Sequence, residues 1–165
     1  MPTSRAPKGV LVRQTAEWFY HRAYSVNFPI IHAVPSWVSY LYNGAIDGSL
    51  LYIYGINATL NNGTSQDNLS CYLVQTPTGV NLSSAVIYPV YNAQPASPAQ
   101  FWVDFAYASG FFNRQFAVAI EGVAAGLFPP APLQVLRPGY GLQMVQTLAA
   151  TDFFLTIWFL WIPGE

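Results

Sequence analysis

Charge is what this chain has least of. Asp, Glu, Lys and Arg make up 8% of its 165 residues, against about 25% in an ordinary soluble domain. The formal net charge is −1, and four of the six basic residues (Arg5, Lys8, Arg13 and Arg22) fall in the first 22 positions. Arg114 and Arg137 are the only cations left for the rest of the chain. A body so poor in cations cannot neutralise a phosphate backbone, so no nucleic-acid partner is expected for the folded domain. Cysteine is nearly missing as well. Cys71 stands alone, which excludes an internal disulfide and a thiolate metal cage, and its alternating neighbours mark it as a small core residue. His21 and His32 are the only histidines, and they lack the i,i+4 spacing of a helical metal pair. The N-terminus has no apolar h-region, so no signal peptide is expected. The apolar runs are too short for the roughly 20 residues of a membrane-spanning helix, so no membrane partner is expected.

Catalytic patterns are also missing. There is no G-x-S-x-G elbow and no Gly-rich phosphate loop. The acidic residues Glu17, Asp47, Asp67, Asp104, Glu121, Asp152 and Glu165 are scattered singly. Asp104 and Glu121 are the one pair that could meet on neighbouring strands, as the two carboxylates of a glycosidase must. Nothing in the pattern requires it. The expectation is a protein without catalytic residues, cofactor or metal. Four N-x-S/T matches, at Asn57, Asn62, Asn68 and Asn81, read as polar residues of turns and strand ends.

What the chain has instead is apolar and aromatic surface, with 53% hydrophobic and 16% aromatic residues. So few charges cannot cover a free monomer. The excess is expected in permanent contacts with other subunits, which resemble a core cut in half.

The segments 50–60, 69–75, 85–91, 100–108, 116–123, 133–136, 142–147 and 152–162 are apolar and separated by turn residues such as Asn61-Asn62-Gly63 and Arg137-Pro138-Gly139. Short strands at this spacing predict an all-β fold, a jelly-roll-like β-sandwich over residues 46–165. Residues 1–45 are broken by Pro29 and Pro35. They are expected to form an extended N-terminal arm that docks, with edge-like segments at 28–34 and 37–42.

The organising stretch is 133–162, read as two strands joined by a short polar turn. In 152–162 only Asp152 and Thr156 are polar. Phe154, Trp158, Leu160 and Ile162 share one face; Phe153, Leu155, Ile157, Phe159 and Trp161 share the other. Both faces want to be dry, so the strand sits between two layers, or it has one face on the chain's own core and the other against a second chain. The docking residues expected are Phe153, Leu155, Ile157, Phe159 and Trp161. With them go Trp18, Phe28, Ile30 and Trp37 of the arm, and Ala117 and Ala119 on the bare face of the 116–123 strand. Exposed aromatics (Trp37, Tyr40, Tyr42, Tyr52, Tyr54, Tyr88, Tyr91 and Tyr140) are candidates for stacking on sugars.

The run Leu136-Arg-Pro-Gly-Tyr-Gly-Leu-Gln-Met, followed after a short gap by a strongly apolar strand, resembles the C-terminal hairpin of small jelly-roll structural proteins of tailed-phage virions. In those a Leu-x-x-Gly-[Trp/Tyr]-x-Leu turn precedes the closing strand. Leu51-Tyr-Ile-Tyr-Gly-Ile-Asn and Ala85-Val-Ile-Tyr-Pro-Val fit the same kind of module, and the resemblance spans roughly residues 48–163. It implies a virion location, with the chain made in the host cytoplasm. It also implies homo-oligomers with the trimer foremost, and a capsid decoration, head-fibre, collar or tail role beside the major capsid protein. The alternative is a receptor- or carbohydrate-binding module of a fibre or tail.

Overall fold

The computed structural model describes residues 22–30, 38–62, 67–90, 95–104, 114–121, 132–146 and 152–164. Among the described residues the elements bounded in chain order are β1 (Ala23–Ile30), β2 (Val38–Asn43), β3 (Leu50–Asn62), β4 (Asp67–Val74), β5 (Val80–Asn81), α1 (Ser83–Val86), β6 (Ile87–Pro89), β7 (Ala99–Asp104), β8 (Arg114–Glu121), β9 (Gln134–Leu136), β10 (Gly141–Gln146) and β11 (Asp152–Ile162). The β-branched and aromatic content of these segments, with period-2 burial, explains why they extend rather than coil. In β7, for instance, Ala99, Phe101 and Val103 are buried and alternate with half-buried neighbours.

The strands make two antiparallel layers. The first runs β5-β7-β2-β10-β4-β8 and the second β6-β1-β11-β3-β9. One short parallel bridge, Ala58 with Ile120 and Thr59 with Glu121, joins them where the long β3 reaches β8. The layers face each other across one core. Phe28 of β1 meets Phe101 of β7 with ring centroids 5.3 Å apart. Leu41, Leu69, Cys71, Leu142 and Met144 come from the first layer; Val26, Leu51, Ile53, Leu155 and Ile157 come from the second. Cys71 is buried there as its sequence context predicts.

Several expectations need correction. Residues 23–30 and 38–43, expected in an N-terminal arm, belong to the sandwich; residues 1–21 and 31–37 of that segment lie outside the described residues. β1 pairs with β11 over its whole length, and β2 lies inside the first layer between β7 and β10. The prolines mislead because Pro29 sits in β1 with its neighbours still paired, on a face turned outward. The last two strands are not a hairpin either: β10 pairs with β2 and β4, whereas β11 pairs with β1 and β3. β10 lies in the first layer and β11 in the second, which alternation within each strand cannot reveal. The segment 85–91 is split, with α1 taking its start and β6 only three residues of it.

Candidate interaction surface

β11 is the central strand of the second layer, and its two faces have separate uses. Phe153, Leu155, Ile157 and Phe159 point inward and are 0–1% exposed. They are the chain's own core and cannot form a docking surface. Ile30 is likewise buried in that core. Phe28 packs against it, its ring tilted at 52° to that of Phe101. Trp161 packs at the core's end, with the Arg22 guanidinium 4.8 Å from its ring centroid. Of the remaining expected docking residues, Ala117 is exposed on the first layer. Trp18, Trp37 and the Ala119 side chain lie outside the described residues, as do His21 and His32.

The outward face of the second layer is built row by row from the register. Val90 donates its N–H to Ala23 O, Ala23 opposes Leu160, Leu160 opposes Tyr52, and Tyr52 opposes Val135. That is one apolar and aromatic row across the whole layer. The adjacent row holds Tyr88, Ser25, Trp158 and Gly55. Trp158 leans over Gly55, its Cε3 lying 2.8 Å from where a Cβ would stand. Only glycine leaves the indole that place. Between these rows, Tyr54, Trp158, Leu160, Ala23 and Val90 line an apolar pocket of about 170 Å³.

A polar row follows: Asn27, Thr156 and Asn57 stand side by side on β1, β11 and β3. Thr156 Oγ1 donates to Asn27 Oδ1 at 3.2 Å, and Asn57 Nδ2 donates to Thr59 Oγ1 at 3.2 Å. Beyond that row Phe154 stands between Pro29 and Thr59, 47% exposed. These outward residues, above all Phe154, Trp158 and Leu160, are the ones sequence reasoning placed on the wrong side. A signal was present, since Asp152 and Thr156, the strand's only polar residues, share their parity.

The outer face of the first layer is different. Trp102, Tyr40, Gln143 and Tyr72 form one cross-strand row. Gln143 and Tyr40 are buried, and Gln143 Nε2 donates to Tyr40 Oη at 3.1 Å. Thr78 Oγ1 gives its one proton to Asp104 Oδ2 at 2.5 Å, so the Tyr40 hydroxyl must donate to Thr78 Oγ1, 2.9 Å away. This directed chain pins the 75–79 turn to the sheet, and it makes Tyr40 unfit as a stacking platform. Gly79 allows the close approach: its φ is +91°, and its Cβ position lies 2.1 Å from Val103 O.

Asp104 and Glu121 do not meet. They lie on β7 and β8, with β2, β10 and β4 between them, a separation of roughly 19 Å at strand spacing. Of the other stacking candidates, Tyr88 is exposed and donates its hydroxyl to Ala85 O, whereas the Tyr140 hydroxyl accepts from Gln75 Nε2. Trp37 and Tyr91 lie outside the described residues.

Two groups are perturbed away from this face. Burial pushes the Tyr24 hydroxyl above its ordinary range despite nearby Arg22; it donates to Pro95 O at 2.5 Å. Side-chain and backbone donors of Ser49 hold the exposed Asp47 carboxylate below the usual range. Neither adjoins a metal-ligating cluster among the described residues. What the surface offers is therefore apolar contact with a polar stripe that can fix its register. Comparison with family models, curated proteins and solved structures finds no match to this chain.

Proposed function

We propose that this chain is a structural subunit of a virus particle, a capsid decoration protein of the tailed-phage kind that its Leu136–Met144 motif resembles, working by self-association and by packing on neighbouring virion proteins. The observation that carries the reading is β11: apolar on both faces, it spends only one on its own core. An outward face with Trp, Phe, Leu and Tyr on adjacent strands is what a subunit contact needs.

Strand order supports the jelly-roll form of the sandwich. With β5, α1, β6 and β7 set aside as an insertion between β4 and β8, the layers read β1-β11-β3-β9 and β2-β10-β4-β8. That is the pairing of two interlocked Greek keys. A docking arm, on this reading, is confined to residues 1–21, where three of the six basic residues lie.

Density-gradient-purified particles from the organism that encodes the chain should contain it in a fixed ratio to the major shell protein by mass spectrometry. Its absence from intact particles overturns the reading. The receptor- or carbohydrate-binding alternative draws on one feature, the closeness of Tyr54 and Trp158 to the Asn27–Thr156–Asn57 row. A glycan array separates it from the structural role.

A further inference from the structure

We propose that two copies pair face to face through the outer faces of their second layers, each β11 antiparallel to the partner's, about a two-fold axis that runs along the Asn27–Thr156–Asn57 row. The inference rests on the reading of the chain as a self-associating subunit and specifies which surface does it and with what symmetry.

The face carries both a knob and a hole. Phe154 projects two residues before Thr156, and the pocket between Trp158, Leu160, Tyr54 and Val90 begins two residues after it. At about 3.3 Å per residue, each lies about 7 Å from Thr156. Rotation by 180° about the polar row reverses the strand direction and carries Phe154 of one copy over the pocket of the other, twice. This is the self-complementarity that an isologous contact demands. A pocket of about 170 Å³, lined by apolar groups, suits one aromatic side chain.

The polar row then lies on the axis, with each residue facing its own copy. Asn carries both donors and an acceptor, and Thr a hydroxyl that does both, so each can hydrogen-bond to itself across the axis. A hydrophobic face without such a row could slide along the strand direction; this row fixes one register.

Charge agrees with the antiparallel sense. β11 starts at Asp152, while Arg22 lies beside Trp161 and the exposed Arg137 follows β9 near Leu51, both at the strand's other end. Asp47, the other charge at that end among the described residues, accepts from Ser49 and stays anionic, which leaves two cations against one anion there. The two-fold sets Asp152 of one copy towards the arginines of the other. A same-sense stacking of the faces would set like against like. The residues of β6, β1, β11, β3 and β9, at about 3.3 Å rise and about 4.8 Å spacing, present a face of about 600 Å², which meets the lower end of the roughly 600–1,000 Å² per partner of a specific contact.

Light scattering on the eluting full chain across a dilution series should show a dimer. Phe154→Lys, altering an exposed side chain, should fold with an unchanged circular dichroism spectrum and raise the dissociation constant ~100-fold or more. Thr156→Cys should be joined to its copy by a short bis-maleimide, because the axis passes over it. Thr76→Cys, exposed in the 75–79 turn, should not be joined, and native Cys71 is buried. A monomer at tens of micromolar, a trimer, a dimer indifferent to Phe154→Lys, or crosslinking at position 76 instead of 156 would each overturn the proposal. The particle-composition experiment is unaffected by any of these, so the two readings fail separately.

Discussion

The carboxamide of Asn43 is fully buried, and its Nδ2 donates to Ser49 O at 2.8 Å and Leu136 O at 2.9 Å while Oδ1 accepts from Ala45 N. Its backbone is used as well: Asn43 N donates to Tyr140 O, and Gly139 N donates to Asn43 O. One side chain thus ties β2 of the first layer to β9 of the second and to the turn that opens β3. Asn43→Ala strands two buried carbonyls and should lower unfolding free energy by about 3 kcal/mol in urea titrations. Tyr24 makes a similar tie to Pro95 O. Its hydroxyl titrates above the ordinary tyrosine range because burial disfavours the anion. The folded state therefore holds this proton more tightly than the unfolded one. The resulting stability is complete below the unfolded-state pKa of about 10 and falls as pH rises through the folded value. Tyr24→Phe should lose about 1 kcal/mol at neutral pH and flatten the alkaline limb of a stability–pH profile. Neither role is legible in sequence, because each depends on carbonyls brought from far along the chain.

At the scale of the strand, the bounds of β11 are legible to the residue, while the residues expected to dock on a partner lie on its buried side. Its bounds and both of its apolar faces follow from alternation over 152–162. Which face turns inward does not follow from hydrophobicity, since the two sides are nearly equal in bulk. The inward side is the one without Asp152 and Thr156, because a polar group in the core leaves its hydrogen bonds unmade. Leu155→Ala and Ile157→Ala, both on the buried side, should cost about 2–5 kcal/mol each by chemical denaturation. Phe154→Ala, on the exposed side, should change the stability of the isolated subunit by less than about 0.5 kcal/mol. Equal losses at 154 and 155 would contradict the assignment of faces. β10 was equally legible as a strand, yet its place in the other layer was not, since strand partners are chosen by the whole topology.

For the whole molecule, the consequence is where the sandwich begins. β1 supplies the full-length neighbour of β11, and β2 fills an interior place in the first layer. Removing residues 1–45 takes away two interior or flanking strands and should abolish cooperative unfolding by circular dichroism. Removing residues 1–21, before the first described strand, should preserve the transition. A cooperative transition after removal of residues 1–45 would place β1 and β2 outside the essential core.

By itself the sequence determined that the chain is all-β, where most strands start and stop, and that one strand has more apolar surface than one core can use. Those properties are local: periodicity, turn residues and composition act within a few residues of one another. Only the tertiary structure decided which strands flank β11, that residues 23–30 and 38–43 belong to the sheets, and that Asp104 and Glu121 stay apart. Each of these depends on which distant strands become neighbours, and that is settled by the simultaneous burial and hydrogen bonding of all of them.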